Sequence, residues 1–247
     1  MHIAAIYDIH GNLPALEAVL AEIREEGVDL VVVGGDVVPG PLPEESIETL
    51  LALELPVRFL HGNGEHDIVA LSRGEAIPRV PERVRPTLQW VASRLSREHL
   101  AELATWPMTQ RLEIPGLGRV LFCHSTPRDD FELFTRLTPE DRLRPIFEAA
   151  GADLVVCGHT HMPFERRIGS VRVVNAGSVG MPFGEPGAYW LLLGESGAEH
   201  RCTHYDFEAA ARGLAAPGYP SPMVYDVRRP PPAEQMLEVF EAAALEG

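Results

Sequence analysis

Hydrophobic and polar positions along the chain fall into two periods. Short apolar runs at residues 3–7, 30–33, 57–60, 119–122 and 154–156 have the length and β-branched content of buried strands. Residues 14–25 and 44–53 instead carry apolar side chains at helical spacing, so the chain begins β-α-β-α-β, the order that favours parallel strands with helices between them. A more polar helical stretch over residues 85–105 separates the third and fourth runs. Beyond Asn175 the pattern predicts short strands at 189–193 and 199–205, a Pro-rich linker over 217–232 and an amphipathic helix over 233–245.

Each of the five apolar runs stops at a polar cluster. The clusters read Asp8-Ile9-His10-Gly11-Asn12, Gly35-Asp36, Gly62-Asn63, Cys123-His124 and Gly158-His159-Thr160-His161. Carboxylates and imidazoles are unfavourable at the ends of buried strands unless a partner or a cation compensates their lost hydration. Five strand ends that each deliver an oxygen or imidazole donor therefore point to metal binding by more than one ion. On a strand, residues two apart share a face, so Asp8 with His10, and His159 with His161, are each expected to present two donors together. The chain has three asparagines, Asn12, Asn63 and Asn175, and all lie in or beside these clusters. Asn63 can offer a carbonyl oxygen to a metal, whereas Asn12 and Asn175 are suited to bracing the loops through side-chain to backbone bonds.

Composition narrows the class. A chain of 247 residues with 45% hydrophobic content can bury one large core, which predicts a body over residues 1–205 and an appendage over 206–247 that packs on it or on a second copy of the chain. No apolar stretch approaches the roughly 18 residues of a membrane span, and no signal pattern precedes the first strand, so a cytoplasmic protein with no membrane partner is expected. The three cysteines, Cys123, Cys157 and Cys202, fit reduced thiols. All 21 basic residues are arginine, which excludes a Walker-type phosphate loop and Schiff-base chemistry. A net charge of −15 argues against wrapping a long nucleic acid.

In order and spacing, Asp8-x-His10, Gly35-Asp36, Gly62-Asn63, His124 and Gly158-His159-x-His161 resemble the calcineurin-like metallophosphoesterase superfamily, in particular its small single-domain bacterial and archaeal phosphodiesterases. The resemblance implies an α/β fold, a four-layer αββα sandwich with two mixed β-sheets. It also implies that Asp8, His10, Asp36 and His161 hold one metal and that Asp36, Asn63, His124 and His159 hold a second, with Asp36 bridging. Two divalent ions so placed would activate a shared water and clamp the oxygens of an in-line displacement at phosphorus. The mixed oxygen and nitrogen donors suit Mn²⁺, Fe or Zn²⁺.

The chain departs from its relatives in two places. Many of them follow the Asn of the third block with a His that protonates the leaving group, whereas here Gly64 and Glu65 intervene before His66. The second block continues as Asp36-Val37-Val38-Pro39 rather than Asp-Arg-Gly, which disfavours phosphoprotein substrates. His66 is the candidate general acid and Arg128 the candidate contact to a substrate oxygen; the competing expectations are local ion pairs, of His66 with Glu65 or Asp67 and of Arg128 with a neighbouring aspartate. His2, His61, His99, His200 and His204 are expected to be structural, and Ser178 to position the loop below the His159 block.

The expected activity is a phosphodiesterase acting on a small, nucleotide-like phosphodiester. The alternatives are a phosphomonoesterase, a nucleotide pyrophosphohydrolase such as a dinucleoside polyphosphate hydrolase, and a non-catalytic protein-binding scaffold of the same fold.

Overall fold

The computed structural model describes residues 1–215, 218–220 and 225–245. In chain order the elements are β1 (Ile3–Ile6), α1 (Leu13–Glu25), β2 (Leu30–Val33), α2 (Pro43–Leu51), β3 (Val57–Phe59), α3 (Asn63–Ser72), α4 (Arg85–Arg94), α5 (Arg97–Leu103), β4 (Thr109–Ile114), β5 (Gly118–Cys123), α6 (Glu140–Glu148), β6 (Leu154–Cys157), β7 (Phe164–Ile168), β8 (Val171–Asn175), β9 (Ala188–Gly194), β10 (Gly197–Thr203), α7 (Phe207–Gly213) and α8 (Ala233–Ala242). They form two five-stranded mixed sheets, ordered β10-β9-β1-β2-β3 and β4-β5-β6-β8-β7. In the first, β1, β2 and β3 run parallel and β9 is antiparallel to β1; in the second, β5, β6 and β8 run parallel between antiparallel edges.

Strand alternation produces the layers. Ile3, Ala5 and Tyr7 on one face of β1 meet Phe122, Leu154, Val156 and Val174 of the other sheet in a shared inner core. Ala4 and Ile6 point the opposite way and pack under α1 and α2 with Leu16, Val19, Leu20 and Ile47. On the outer face of the second sheet, Leu121, Val155 and Val173 pack with Leu143, Ile146 and Phe147 of α6. Helix, sheet, sheet and helix follow as the four-layer order. Within this inner layer Tyr7, fully buried, donates its hydroxyl to the carbonyl of Val156 at 3.1 Å.

Most expected elements are present, with three local differences. The helical stretch over 85–105 divides into α4 and α5 because Leu95 is extended and Ser96 starts a new helix, its side chain accepting from His99 N–H at 3.0 Å. The Gly62-Asn63 cluster opens a helix, α3, rather than a loop. β4, β7 and β8, and helices α6 and α7, carry no expectation from the sequence. Of the expected Pro-rich linker, residues 217 and 221–224 lie outside the described residues. The described part of 206–245 packs on the body: Leu245 N–H donates to Leu133 O at 2.8 Å, and Arg142 reaches Ala244 O at 2.8 Å. No helix among the described residues is long and apolar enough to cross a membrane.

Candidate metal centre

The polar clusters converge where β1, β2, β3, β5 and β6 end. The pleat does not place them, because Asp8, His10, Asp36, His159 and His161 all lie beyond the strands with φ between 49° and 66°. Left-handed backbone costs about 1–3 kcal/mol at a non-glycine residue and persists where the surroundings enforce it. Here the enforcement is a set of backbone bonds between loops: Asp8 N–H to Gly35 O at 3.1 Å, His10 N–H to Asp36 O at 2.9 Å and Gly11 N–H to Val37 O at 2.8 Å. The glycines before the ligands make room for one another's partners. A Cβ at Gly62 would collide with Asp36 Oδ1, and one at Gly158 would collide with Asp8 Oδ2.

Two groups of side chains result. In one, ligand atoms of Asp8, His10 and His161 lie within 4.8 Å of one another; in the other, those of Asp36, His124 and His159 do. Asp36 sits between the groups, its Oδ2 3.7 Å from His10 Nε2 and its Oδ1 3.6 Å from His124 Nε2. Asp8 Oδ1 is 3.3 Å from His161 Nε2.

The imidazoles show what this arrangement is for. His10 Nδ1 meets Pro39 O at 3.0 Å and His161 Nδ1 meets Met181 O at 2.7 Å, so in each ring the Nδ1 carries the proton. Their Nε2 atoms then present lone pairs to each other across 3.1 Å. In the second group His124 Nδ1 meets Gly34 O at 3.0 Å and His159 Nε2 meets Phe131 O at 3.2 Å. This leaves His124 Nε2 and His159 Nδ1 facing each other, lone pair to lone pair, at 3.1 Å. Two nitrogens so spaced suit one ion with bonds of about 2.0–2.1 Å. Burial, reinforced by His161 beside His10 and by His124 beside His159, pushes both His10 and His159 down to about 3, so both rings are neutral near pH 7. Two orphaned atoms complete the pattern: Asp8 Oδ1 and Asn63 Oδ1 are buried without a hydrogen-bond partner. Burial and the nearby carboxylates of Glu65 and Asp8 push the Asp36 carboxyl upward, a conflict that a cation between the groups would relieve. The residues fit two divalent cations.

A further set of side chains holds the loops. Asn175 Nδ2 donates to Gly158 O at 2.6 Å and to Thr160 Oγ1 at 3.1 Å, and Asn12 Nδ2 donates to Gly180 O at 2.8 Å, the bracing roles expected of them. Ser178 Oγ donates to Asp8 O at 2.7 Å. Glu65, which the sequence did not single out as part of the site, is fully buried and accepts N–H bonds from Asp36, Val38 and Gly62 at 2.8–3.0 Å.

A cavity of ≈ 540 Å³ opens beside these ligands, with His10, Asp36, Asn63, His159 and His161 in its lining. His66 and Arg128 are not brought into that lining. His66, 61% exposed, has its Nδ1 2.9 Å from Asp130 Oδ2, which also lies 3.2 Å from His61 Nδ1. These three form a separate group with donor atoms within 4.8 Å. Burial opposes ionisation of Asp130, but the bonds from His61 and His66 outweigh it and hold the carboxyl below its usual range. Arg128 is 58% exposed and engages Glu132 through Nε at 3.0 Å, while Asp129 takes a two-bond contact from Arg79 at 2.8 and 2.9 Å. The involvement of Asp130, Glu132 and Arg79 had no signal in the sequence beyond the local charge run.

Comparison with known proteins places this geometry. The calcineurin-like phosphoesterase superfamily domain matches residues 1–196. The uncharacterized protein MJ0912 of Methanocaldococcus jannaschii is 32% identical over 163 residues, which is 66% of this chain and 63% of that protein. The chain thus spans less than two thirds of that relative's length. Among solved structures, the metallophosphoesterase from Sphaerobacter thermophilus superposes with a TM-score of 0.67 at 25% identity over 98% of both chains. The hypothetical protein PH1004 from Pyrococcus horikoshii OT3 gives a TM-score of 0.75 at 21% identity over 92% of this chain and 99% of that one, a likeness of fold. With the strand-end clusters, the facing imidazoles and a match over most of its length, the chain belongs to the calcineurin-like phosphoesterase superfamily.

Proposed function

We propose that this metallophosphoesterase is a dinuclear phosphodiesterase. Asp8, His10 and His161 would hold one divalent cation, and Asn63, His124 and His159 the other, with Asp36 between them. Mn²⁺, Fe or Zn²⁺ fits the donors. When bound, such a pair supplies a water of lowered pKa and a positive clamp for the oxygens at phosphorus.

The protein's own contribution is positional. Neutral His10 and His159 keep their lone pairs available near pH 7, and backbone carbonyls fix the direction of every ring. Glu65 and the neighbouring backbone hold Asp36 between the two groups. The observation that carries the diester reading is the charge of the cavity: among the described residues its lining contains no arginine, and the chain has no lysine. A phosphodiester brings one negative charge, which the cation pair can meet alone. A phosphomonoester dianion or a polyphosphate brings more, and sites for those groups add guanidinium or ammonium donors.

The free thiols of Cys123 and Cys157, both buried, support a cytoplasmic location as part of this reading. The test is turnover of bis(p-nitrophenyl) phosphate against p-nitrophenyl phosphate by protein loaded with Mn²⁺. We expect kcat/KM to be higher for the diester by about tenfold or more, the measure of a preference in transition-state binding. Equal or reversed preference would favour a phosphomonoesterase, and turnover of dinucleoside polyphosphates alone a pyrophosphohydrolase.

A further inference from the structure

The cavity lining has two unlike parts. One is the set of ligand residues; the other is apolar or aromatic and comes largely from the C-terminal part of the chain, with Leu214, Tyr219, Tyr225, Val227 and Phe240, joined by Val84 and Met181. That wall is fixed in place. Tyr225 donates its hydroxyl to Pro182 O at 2.9 Å, and Gly184 N–H donates to Pro231 O at 2.9 Å. Phe240 contacts Phe183 with ring centroids 5.9 Å apart, and Phe183 in turn stacks on His161 at 5.1 Å. The apolar wall is therefore continuous with the metal-ligand groups.

Three of the polar side chains in its lining are engaged within the protein. Thr87 Oγ1 donates to Pro220 O, Tyr225 donates to Pro182 O, and Asn12 uses its amide on Gly180 O at 2.8 Å and on the Tyr205 hydroxyl at 3.3 Å. A nucleobase placed against this wall would bring several carbonyl and ring-nitrogen acceptors towards Thr87, Tyr225 and Asn12, whose donors are already engaged. Buried polar groups without partners are disfavoured, whereas an aryl or alkyl group leaves nothing unsatisfied.

We propose that this wall is a subsite for an apolar organic substituent of the phosphodiester, an aryl or hydrocarbon group recognised by shape and ring contact. The subsite rests on the diesterase reading and narrows its substrate class away from the nucleotide-like group expected from the resemblance. Leu214, Tyr225, Val227 and Phe240 then set specificity while the strand-end loops carry the chemistry.

The test uses three diesters with the same leaving group, p-nitrophenolate, and different second substituents: phenyl, methyl and thymidine. Wild type is compared with Phe240→Ala and, elsewhere in the lining, Val84→Ala, all loaded with Mn²⁺. Intrinsic reactivity differences among the diesters are common to every protein, so the change in the phenyl-to-methyl ratio of kcat/KM between proteins reports the contact. We expect each variant to lower that ratio by about threefold or more, consistent with lost apolar burial. Binding of phenyl phosphonate relative to methyl phosphonate by calorimetry should weaken in the same variants, a readout independent of turnover. An unchanged ratio in both variants, or thymidine exceeding phenyl in the wild type after correction for the uncatalysed rates, would overturn the subsite. Absence of turnover for all three diesters would instead overturn the diesterase reading.

Discussion

Five of the seven metal-ligand candidates have positive φ, and that single backbone feature separates what the residue types could reveal from what they could not. Asp8, His10, Asp36, Asn63, His124, His159 and His161 stand out as candidates because their side chains are chemically out of place after apolar strands. Their geometry was not, since a pleated strand and a left-handed turn both bring Asp8 near His10 and the sequence does not distinguish them. The partner of His66 was illegible for another reason: Asp130 is 64 positions away, and only the fold brings the two to 2.9 Å. The local pairing of His66 with Glu65 does not occur, because Glu65 turns inward to three backbone N–H groups. These positions determine what removal of His66 should do. A proton donor must come within hydrogen-bond reach of the leaving oxygen, and His66 lies outside the cavity lining, held by Asp130. His66→Ala is expected to change hydrolysis of alkyl and p-nitrophenyl diesters by the same factor. A much larger loss on the alkyl ester, whose alkoxide needs a proton to depart, would make His66 the general acid.

At the scale of elements, β1, β2, β5 and β6 stand out in the sequence as nearly continuous apolar runs, the composition of strands covered on both faces, whereas β8, also parallel, carries Arg172 within a short run and had no expectation. β4 and β7 escaped because they are edges. Gln110, Arg111 and Glu113 in β4, and Glu165, Arg166 and Arg167 in β7, dilute the apolar signal as charged edge strands do. α3 escaped because its first turn, Asn63-Gly64-Glu65-His66, has the composition of a loop. Its start is fixed by Glu65, whose carboxylate ties together the segments after β2 and β3. Glu65→Ala would leave three buried N–H groups without acceptors, so we expect a loss of about 2–4 kcal/mol in unfolding free energy. Denaturant titration would show this, and a change below about 0.5 kcal/mol, the range of an ordinary surface substitution, would mean that other groups hold the segments.

Over the whole molecule, the sequence indicated one body with an appendage, but the part played by the appendage depends on long-range placement. Residues after 205 place Tyr225, Val227 and Phe240 against a cavity whose ligands begin at His10. No local pattern encodes that meeting, and a search for catalytic residue types passes over apolar side chains. The two sheets, by contrast, follow from strand alternation that buries one face against the other sheet and the opposite face under helices. Every functional expectation for this molecule depends on one proposal, that the strand ends form two cation sites sharing Asp36. Metal content after reconstitution and removal of free ion, measured by elemental analysis on wild type, Asn63→Ala and Asp36→Asn, tests it most directly. Wild type should retain about two equivalents per chain, as in a two-metal hydrolase. Asn63→Ala should weaken one equivalent, and Asp36→Asn should weaken both. A single equivalent in folded wild-type protein, or loss of only one ion in Asp36→Asn, would contradict the shared dinuclear centre.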